Sequence, residues 1–226
     1  WIILAVVDFF VSIFFYVPLI TYLQPASTAS GLTDAVVSTM YGFAAYVILI
    51  ISPLITMRLI AEERQLGTIK LLFSSPISIT EIVLGKFFGI TIFYILILML
   101  ITLMPASLLF GTHLDLGQVA SAFIGLLLLM TSIASIGLFL SSLTNSPVIA
   151  AISTFGVLFF LLIIKIGGTN SSLETAEIFS YLSLVSHYNN FLSGLFNSID
   201  IFYYIILTTF FIMLQFQTHG CMIKKL

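Results

Sequence analysis

Six long runs of apolar residues, separated by short polar stretches, make up most of the sequence. A helix of about 20 residues crosses a hydrocarbon core about 30 Å thick, and each run is close to or above that length. No run alternates apolar and polar residues as a barrel strand does, and a helix pairs its backbone groups internally, as lipid requires. The pattern predicts an all-α polytopic membrane protein with six transmembrane helices, at residues 1–23, 35–57, 82–109, 119–140, 148–164 and 199–216.

The composition of the 226 residues excludes the other broad classes of protein. Charged residues make up 7% of the chain, against about 25% in a soluble domain, so a soluble fold would expose large apolar patches. The 22 Phe residues and a hydrophobic share of 60% exclude disorder. Cys221 is the single cysteine and no Cys/His cluster has metal-site spacing, so we expect no disulfide, metal or other cofactor in this chain. No basic patch indicates a nucleic-acid partner.

The sequence begins with Trp1 inside an apolar run and has no initiating Met. We therefore expect that the natural N-terminus lies upstream of the sequence given. The first run is not followed by a small-residue cleavage site, which indicates a retained span and not a signal peptide.

The basic residues predict the orientation, because cytoplasmic loops of membrane proteins carry the excess of Lys and Arg. With six spans, all basic residues but Lys165 lie on one side: Arg58, Arg64, Lys70, Lys86, Lys224 and Lys225. We therefore expect residues 58–81 and the C-terminus to be cytoplasmic, and residues 167–198 to be external. The acids expected to face outward are Asp34, Asp115, Glu174, Glu177 and Asp200.

The cytoplasmic stretch 58–81 is the most polar part of the chain. It predicts a short amphipathic helix, because apolar residues recur at three- and four-residue spacing: Leu66, Ile69, Leu72 and Phe73. Glu62 and Glu63 are expected near the start of this helix, where the helix dipole favours anions. The run Ser74-Ser75-Pro76 is expected to end it. Such a helix either lies on lipid headgroups or docks a cytoplasmic partner.

The residues of this stretch resemble a known family. They are similar to the signature of ABC-2 type permeases, and in particular to the branch with the gliding-motility permeases. The similar pattern is Glu62-Glu63-Arg64-x-x-Gly67-Thr68-x-x-Leu71-Leu72-x-Ser74-Ser75-Pro76-Ile77. It is followed by Glu81-Ile82-Val83-Leu84-Gly85-Lys86-Phe87. A second similarity to that branch precedes the last span: Ser186-His187-Tyr188-x-x-Phe191-x-x-Gly194, then Asp200-Ile201-x-Tyr203-Tyr204. Together with the six spans, the resemblance covers essentially the whole chain.

The resemblance implies a half-transporter in a bacterial cytoplasmic membrane. In this family two permease chains, identical or related, form the path, and each binds an ATPase subunit through the loop between its second and third spans. ATP and Mg are then bound by the ATPase subunits, in agreement with the absence of a G-x-x-x-x-G-K-[ST] motif from this sequence. A periplasmic accessory protein is a further candidate partner. The resemblance assigns ATPase docking to Glu62, Glu63, Arg64, Gly67, Thr68, Leu71 and Leu72.

The external stretch also has helical spacing, in an apolar stripe formed by Ile178, Tyr181, Leu182, Val185, Tyr188, Leu192 and Leu195. One interpretation is one or two short helices lying over the outer ends of the spans. The other is an external gate, with His187, Tyr188 and Phe191 as candidate residues. A single His usually satisfies a local hydrogen bond, so His187 is given no catalytic or metal role.

Two features inside the spans have open interpretations. Asp8 is the one acid within an apolar span, and an intramembrane carboxylate is a candidate polar site. A structural or interfacial role is the alternative for Asp8. Ala134, Ser135, Gly137 and Ser141 suit close packing of the fourth span, either within the chain or between two copies.

These features together favour ATP-driven transport, in the direction of export, by a permease dimer. A membrane component that transmits force within an envelope or motility machine is the main alternative. A secondary carrier or channel would place charged groups near the midplane, where only Asp8 is a candidate. An intramembrane enzyme is disfavoured, because Gly67 stands where a Glu-Glu-x-x-x-Arg pattern needs Arg and no H-E-x-x-H or G-x-S-x-G motif occurs.

Accessibility labelling of single tags tests the predicted topology. A tag at Asn170 is expected to react with an impermeant reagent added outside the cell, and a tag at Ser75 only after the membrane is opened. Opened membranes, in which both tags react, are the control. The reverse labelling in intact cells would overturn the orientation.

Overall fold

The computed structural model describes residues 2–22, 31, 33–67, 79–108, 114–168 and 183–223. These residues form helices and short turns, and no β-strand occurs among them. Their α-helices are, in chain order, α1 (Ile2–Tyr22), α2 (Thr39–Thr56), α3 (Arg58–Gln65), α4 (Ile79–Leu108), α5 (Leu116–Leu143), α6 (Pro147–Gly168), α7 (Leu184–Leu192) and α8 (Ser198–Ile223). A π-helical segment, Thr33–Ser38, leads into α2.

Six helical units in the described ranges are long and apolar enough to cross a membrane. They are α1, the continuous run from the π-helical segment through α2 and α3, α4, α5, α6 and α8. The prediction of an all-α polytopic protein with six transmembrane helices is confirmed. Several helices extend beyond the apolar runs, because polar residues still form helix at the ends of the runs. For example, α5 starts before Val119, where the Asp115 side chain accepts a hydrogen bond from the Gly117 N–H at 2.9 Å.

α5 lies at the centre of the bundle. It packs against α2, α3, α4, α6, α7 and α8, and most of its side chains are buried. The small residues Ala134, Ser135, Gly137 and Ser141 are among the buried ones. Of the two interpretations of these residues, close packing within the chain is therefore the one that the structure supports.

Gly137 lets α2 approach α5 closely. A Cβ atom at Gly137 would lie 2.3 Å from the Thr56 Oγ1 and 2.6 Å from the Thr56 Cβ, well inside van der Waals contact. Any larger residue at position 137 would therefore have to push the end of α2 away from α5.

The Ser141 hydroxyl joins α5 to the junction between α2 and α3. Met57 links these two helices with helical dihedral angles, φ −57° and ψ −34°. The Ser141 Oγ accepts hydrogen bonds from the Ile60 N–H at 3.2 Å and the Ala61 N–H at 3.0 Å. The same hydroxyl donates to the Met57 carbonyl at 3.1 Å. The Ser141 hydroxyl thus binds backbone groups on both sides of the junction, so α5 fixes the start of α3.

Two hydrogen bonds between side chains tie α2 to α4 inside the bundle. The Tyr41 hydroxyl pairs with the Thr102 Oγ1 at 2.8 Å, and the Tyr94 hydroxyl pairs with the Ser52 Oγ at 2.5 Å. A buried hydroxyl in a membrane-spanning bundle needs a partner from the protein, because water does not supply one. The two pairs therefore fix α2 against α4.

We expect Gly137→Ala to lower the thermal midpoint of the purified chain, because the added methyl group forces α2 away from α5. Overpacking of this kind costs about 1–3 kcal/mol. Gly156→Ala in α6 is the matched control, since Gly156 is exposed and no described atom lies within 4 Å of an added Cβ. Thermal unfolding in detergent compares the two variants, and equal midpoints would contradict the close approach of α2 to α5.

Candidate functional site

Two short helices, α3 and α7, contact α5 near its opposite ends. α3 meets α5 at Ser141, close to the end of α5. α7 meets α5 at Gln118 and Gly125, close to its start. α3 carries residues predicted to dock an ATPase subunit, and α7 carries the residues predicted to form a gate.

α3 contains three of the predicted docking residues, Glu62, Glu63 and Arg64. The expectation that the two acids lie near a helix start is wrong: α3 already starts at Arg58, so both acids lie in its second half. Gly67 follows the end of α3 with a φ of +72°, and its N–H donates to the Arg64 carbonyl at 3.2 Å. A glycine in this left-handed conformation ends a helix, which periodicity alone does not reveal.

The surface of α3 combines polar groups with one exposed apolar side chain. Arg58 and Gln65 of α3 are exposed, as are Leu66 and Gly67 directly after it. The partly exposed positions of α3 include Glu62, Glu63 and Arg64. The Leu66 side chain is 69% exposed. The other predicted docking residues, Thr68, Leu71 and Leu72, lie outside the described residues, as do Ile69 and Phe73 of the predicted amphipathic helix.

Glu63 is bound within the chain. Lys86, near the start of α4, binds both the Glu63 carboxylate and the carbonyl of Leu59. The Lys86 side chain is 18% exposed and the Glu63 side chain 36%, so the ion pair is partly shielded from water. Because one ammonium group binds a side chain and a backbone carbonyl of α3, it fastens α3 to α4.

Local hydrogen bonds fix both ends of α7. At its start, the Ser183 side chain accepts a hydrogen bond from a backbone N–H of the first turn at 3.3 Å. At its end, Gly194 has a φ of +75°, and its N–H donates to the Phe191 carbonyl at 3.1 Å. The Leu195 N–H donates to the Asn190 carbonyl at 3.0 Å. These two bonds around a left-handed glycine form a Schellman motif. The motif explains why the family-like pattern that starts at Ser186 ends with a glycine.

His187 and Asp200 form a buried pair between α7 and α8. The His187 Nδ1 lies 2.5 Å from the Asp200 Oδ1, and the Asn190 Nδ2 donates to the Asp200 Oδ2 at 3.0 Å. The His187 ring also stacks on the Tyr203 ring, with 4.2 Å between the ring centroids. Asp200 is 2% exposed, so an acid that the sequence places on the outward side is shielded by protein. His187 therefore holds α7 to α8.

Tyr188 and Phe191 connect α7 to two further helices. The Tyr188 hydroxyl donates to the Tyr41 carbonyl of α2 at 2.9 Å. Phe191 lies directly on Gly125 of α5, where an added Cβ would be 2.5 Å from the Phe191 Cβ. His187, Tyr188 and Phe191 are all buried, and each contacts a different helix. The structure therefore brings the three candidate gate residues together as the fixed face of α7.

α7 reaches into the bundle. Gly125, which Phe191 contacts, is nine residues from the start of α5, or about 13 Å along the helix axis. The Tyr204 hydroxyl, six residues into α8, donates to the Leu184 carbonyl at 2.7 Å. The prediction of a short helix before the last span is confirmed. Its position differs from the expectation of a helix lying over the ends of the spans, because its apolar face packs between them.

In the part of the chain that the structure describes, the predicted apolar stripe ends before Leu195. Val185, Tyr188 and Leu192 lie on α7, and of these Val185 and Tyr188 are buried. Leu195 follows the Schellman turn and is 62% exposed, so the stripe ends with the helix. The earlier members Ile178, Tyr181 and Leu182 lie outside the described residues.

Asp8, the candidate intramembrane polar site, lies on α1. The Ser12 hydroxyl donates to the Asp8 backbone carbonyl at 2.7 Å. The Asp8 side chain is half-buried, and its Oδ1 has no hydrogen-bond partner in the part of the chain that the structure describes.

An apolar groove of about 670 Å³ lies between α1, α4 and α5. Its lining residues are Leu4, Leu96, Met99, Leu100, Thr102, Leu103, Ala106 and Phe123. The Thr102 hydroxyl already pairs with Tyr41 and donates to the Leu98 carbonyl. The lining is therefore almost wholly apolar.

The residues that fasten the two short helices are not assigned that role by sequence reasoning. They are Lys86 and Ser141 at α3, and Tyr41 and Gly125 at α7. Lys86 lies within the family-like pattern, and Ser141 is one of the small residues noted in the fourth span. Each acts through a partner distant in sequence, so local spacing carries no signal for the contact.

One comparison with known proteins gives a match. A sequence model of a protein family, described as "ABC-2 family transporter protein", matches residues 1–217. No curated protein sequence matches the chain. The matched range includes both α3 and α7 and covers nearly the whole chain, which confirms the resemblance at the level of the family.

We expect His187→Ala to lower the thermal midpoint, because it leaves the buried Asp200 carboxylate without one of its two hydrogen-bond partners. The loss is expected to be about 3 kcal/mol. Asn189→Ala, an exposed position on the same helix, is the matched control and is expected to leave the midpoint nearly unchanged. If both variants unfold at the temperature of the parent chain, the pair does not hold α7 to α8.

Proposed function

The chain belongs to the ABC-2 transporter family, and we propose that it is the membrane-spanning permease subunit of an ATP-driven exporter. Proteins of this family form a non-catalytic membrane component and generally work with an ABC ATPase partner. In our proposal two permease chains, identical or related, form the path. Two ATPase subunits bind ATP and Mg and supply the energy.

The way α3 is held in the bundle carries the proposal. α3 continues from α2 through Met57, is bonded to α5 by Ser141, and is bonded to α4 by Lys86. A force applied to α3 therefore acts on three membrane-spanning helices at once. A docking helix that couples a partner's movement to a membrane bundle needs this property, whereas a helix that only lies on lipid headgroups does not.

We propose that the ATPase subunit binds the exposed side of α3. Glu62 and Arg64 offer charged groups there, and Leu66 with Gly67 offers an apolar, closely approachable end. Glu63, bound by Lys86, positions α3 and contributes less to direct contact. Thr68, Leu71 and Leu72 extend the proposed docking surface along the chain.

The proposed cycle uses differential affinity for nucleotide. ATP binds more tightly when the ATPase subunits are closed, so closure displaces α3 and shifts the bundle toward one of its states. At the opposite end of α5, α7 with His187, Tyr188 and Phe191 is the proposed gate. Asp8 is proposed as a structural polar group of α1 and takes no part in coupling to ions.

A second candidate function is transmission of force to an envelope or motility machine. The similarity of the two motifs to gliding-motility permeases favours it, and membership of that branch is part of this alternative. Both functions place the chain in a bacterial cytoplasmic membrane with a cytoplasmic C-terminus. The alternative adds a periplasmic accessory protein as a lasting partner.

Gentle purification of the tagged chain from its native membrane tests the function. We expect a P-loop ATPase to co-purify in a stoichiometric amount. Glu62→Ala is expected to weaken this association without affecting membrane insertion, and Glu63→Ala to weaken it through loss of the Lys86 pair. Asp34→Ala, an exposed acid near the other end of the bundle, is the control.

The outcomes separate the two candidate functions. Periplasmic components in constant proportion would favour the envelope or motility machine. A chain that emerges alone from several mild detergents would contradict both functions. A complex unchanged by Glu62→Ala and Glu63→Ala would remove these two residues from docking.

A further inference from the structure

α5 is bonded directly to both short helices. At one end, the Ser141 hydroxyl binds two N–H groups of α3 and the carbonyl that precedes it. At the other end, the Gln118 Nε2 donates to the Leu192 carbonyl of α7 at 2.9 Å, and Gly125 lies against Phe191. Close-packed contacts of low compressibility pass a displacement on and do not absorb it. A movement of α3 therefore reaches α5, and a movement of α5 reaches α7.

α8 is bonded to α7 along its first two turns, through Asp200 and Tyr204. Further along, α8 packs on α5, where the Phe211 and Phe139 ring centroids are 5.7 Å apart. One turn beyond this ring contact lies Gln215, which is completely buried. Within the described ranges, both the Nε2 and the Oε1 of Gln215 lack a hydrogen-bond partner.

An unpartnered amide makes the described contact between α5 and α8 costly. Removing a polar group from water costs free energy, and without hydrogen bonds in the protein nothing offsets that cost. Lipid does not supply hydrogen-bond partners in place of water. An arrangement that gives Gln215 a partner would therefore remove this cost. Among the described residues, no hydrogen bond joins α5 to α8 at the α3 end of the bundle, so a shift of the two helices there would break none.

Ser142 is the group on α5 suited to partner Gln215. It follows Phe139 by three residues, and Gln215 follows Phe211 by four, so both lie just past the ring contact on helices that run in the same direction. The Ser142 hydroxyl donates to the Phe139 carbonyl at 2.6 Å. Among the described residues it accepts no hydrogen bond, so it has room for one from the Gln215 amide.

We propose that α5 has two positions against α8 and that the shift between them carries motion from α3 to α7. In the described position Gln215 is unpartnered. In the other position the end of α5 near Leu143 moves along α8 until the Gln215 amide donates to the Ser142 hydroxyl. α5 tilts as a rigid helix during this shift, so its opposite end displaces Phe191 and α7. The inference rests on the proposed function in one respect, namely that the ATPase subunit displaces α3.

The first test compares two glutamines of α8 in the full chain, purified in detergent. Gln215→Leu removes the unpartnered amide, and we expect the thermal midpoint to rise by about 3 °C. Gln217→Leu is the matched control, because Gln217 is exposed on the same helix, and a smaller change is expected. A lower midpoint for Gln215→Leu would show that its amide already has a partner and would overturn the proposal. An equal rise in both variants would overturn it too.

The second test follows amide hydrogen exchange in the same preparation. Ser141→Ala loosens α3 from α5, and we expect exchange to rise several-fold in α3 and also in α7. Ser153→Ala is the control, because the Ser153 hydroxyl donates to the Ala150 carbonyl within α6, and neither short helix is expected to respond. Faster exchange in α3 alone would show that α5 does not carry the motion.

A second variant keeps this test decisive if Ser141→Ala does not fold. Lys86→Met frees α3 from α4 and leaves the Ser141 contact intact, and the same joint response of α3 and α7 is expected. Both experiments use the chain without an ATPase subunit. If no ATPase co-purifies, the proposed function is contradicted, but the thermal and hydrogen-exchange measurements can still be made and interpreted. Failure of the proposed function and failure of this inference are therefore distinguishable.

Discussion

A polar group inside a bilayer finds its partner in the protein or has none, and the arrangement of this bundle follows from that constraint. The Ser141 hydroxyl completes the backbone hydrogen bonding at the junction of α2 and α3. Lys86 binds a backbone carbonyl of α3, and Tyr188 binds one of α2. In each case a side chain of one helix satisfies the backbone of another. The bonds that satisfy these backbone groups are thus also the bonds that hold the helices in place.

The second determinant is the absence of side chains at two points of α5. Gly137 admits Thr56 of α2, and Gly125 admits Phe191 of α7. The two glycines are twelve residues apart, so α5 is approached closely near both of its ends. α5 itself carries no charged residue. α5 is the central helix, against which the other helices pack. α3, the proposed docking helix, and α7, the proposed gate, are both bonded to it.

The sequence predicts most of the fold, because a run of about 20 apolar residues in lipid has few alternatives to a helix. It also predicts the short helix before the last span, through the helical spacing of apolar residues, whereas the cytoplasmic helix predicted from Leu66, Ile69, Leu72 and Phe73 lies mostly outside the described residues. It misplaces Glu62 and Glu63 on α3, because apolar spacing continues past Gly67 while the backbone turns left-handed there. Contacts such as Lys86 with Glu63 join residues distant in sequence, and no local pattern encodes them.

The position of α7 has a consequence for how the protein is made. α7 is synthesised before α8, yet its contacts through His187 and Leu184 are with Asp200 and Tyr204 of α8. Until the last helix enters the membrane, the buried polar groups of α7 lack these partners. The contacts of α7 with α8 therefore form only when α8 is in place, whereas those with α2 and α5 can form before it.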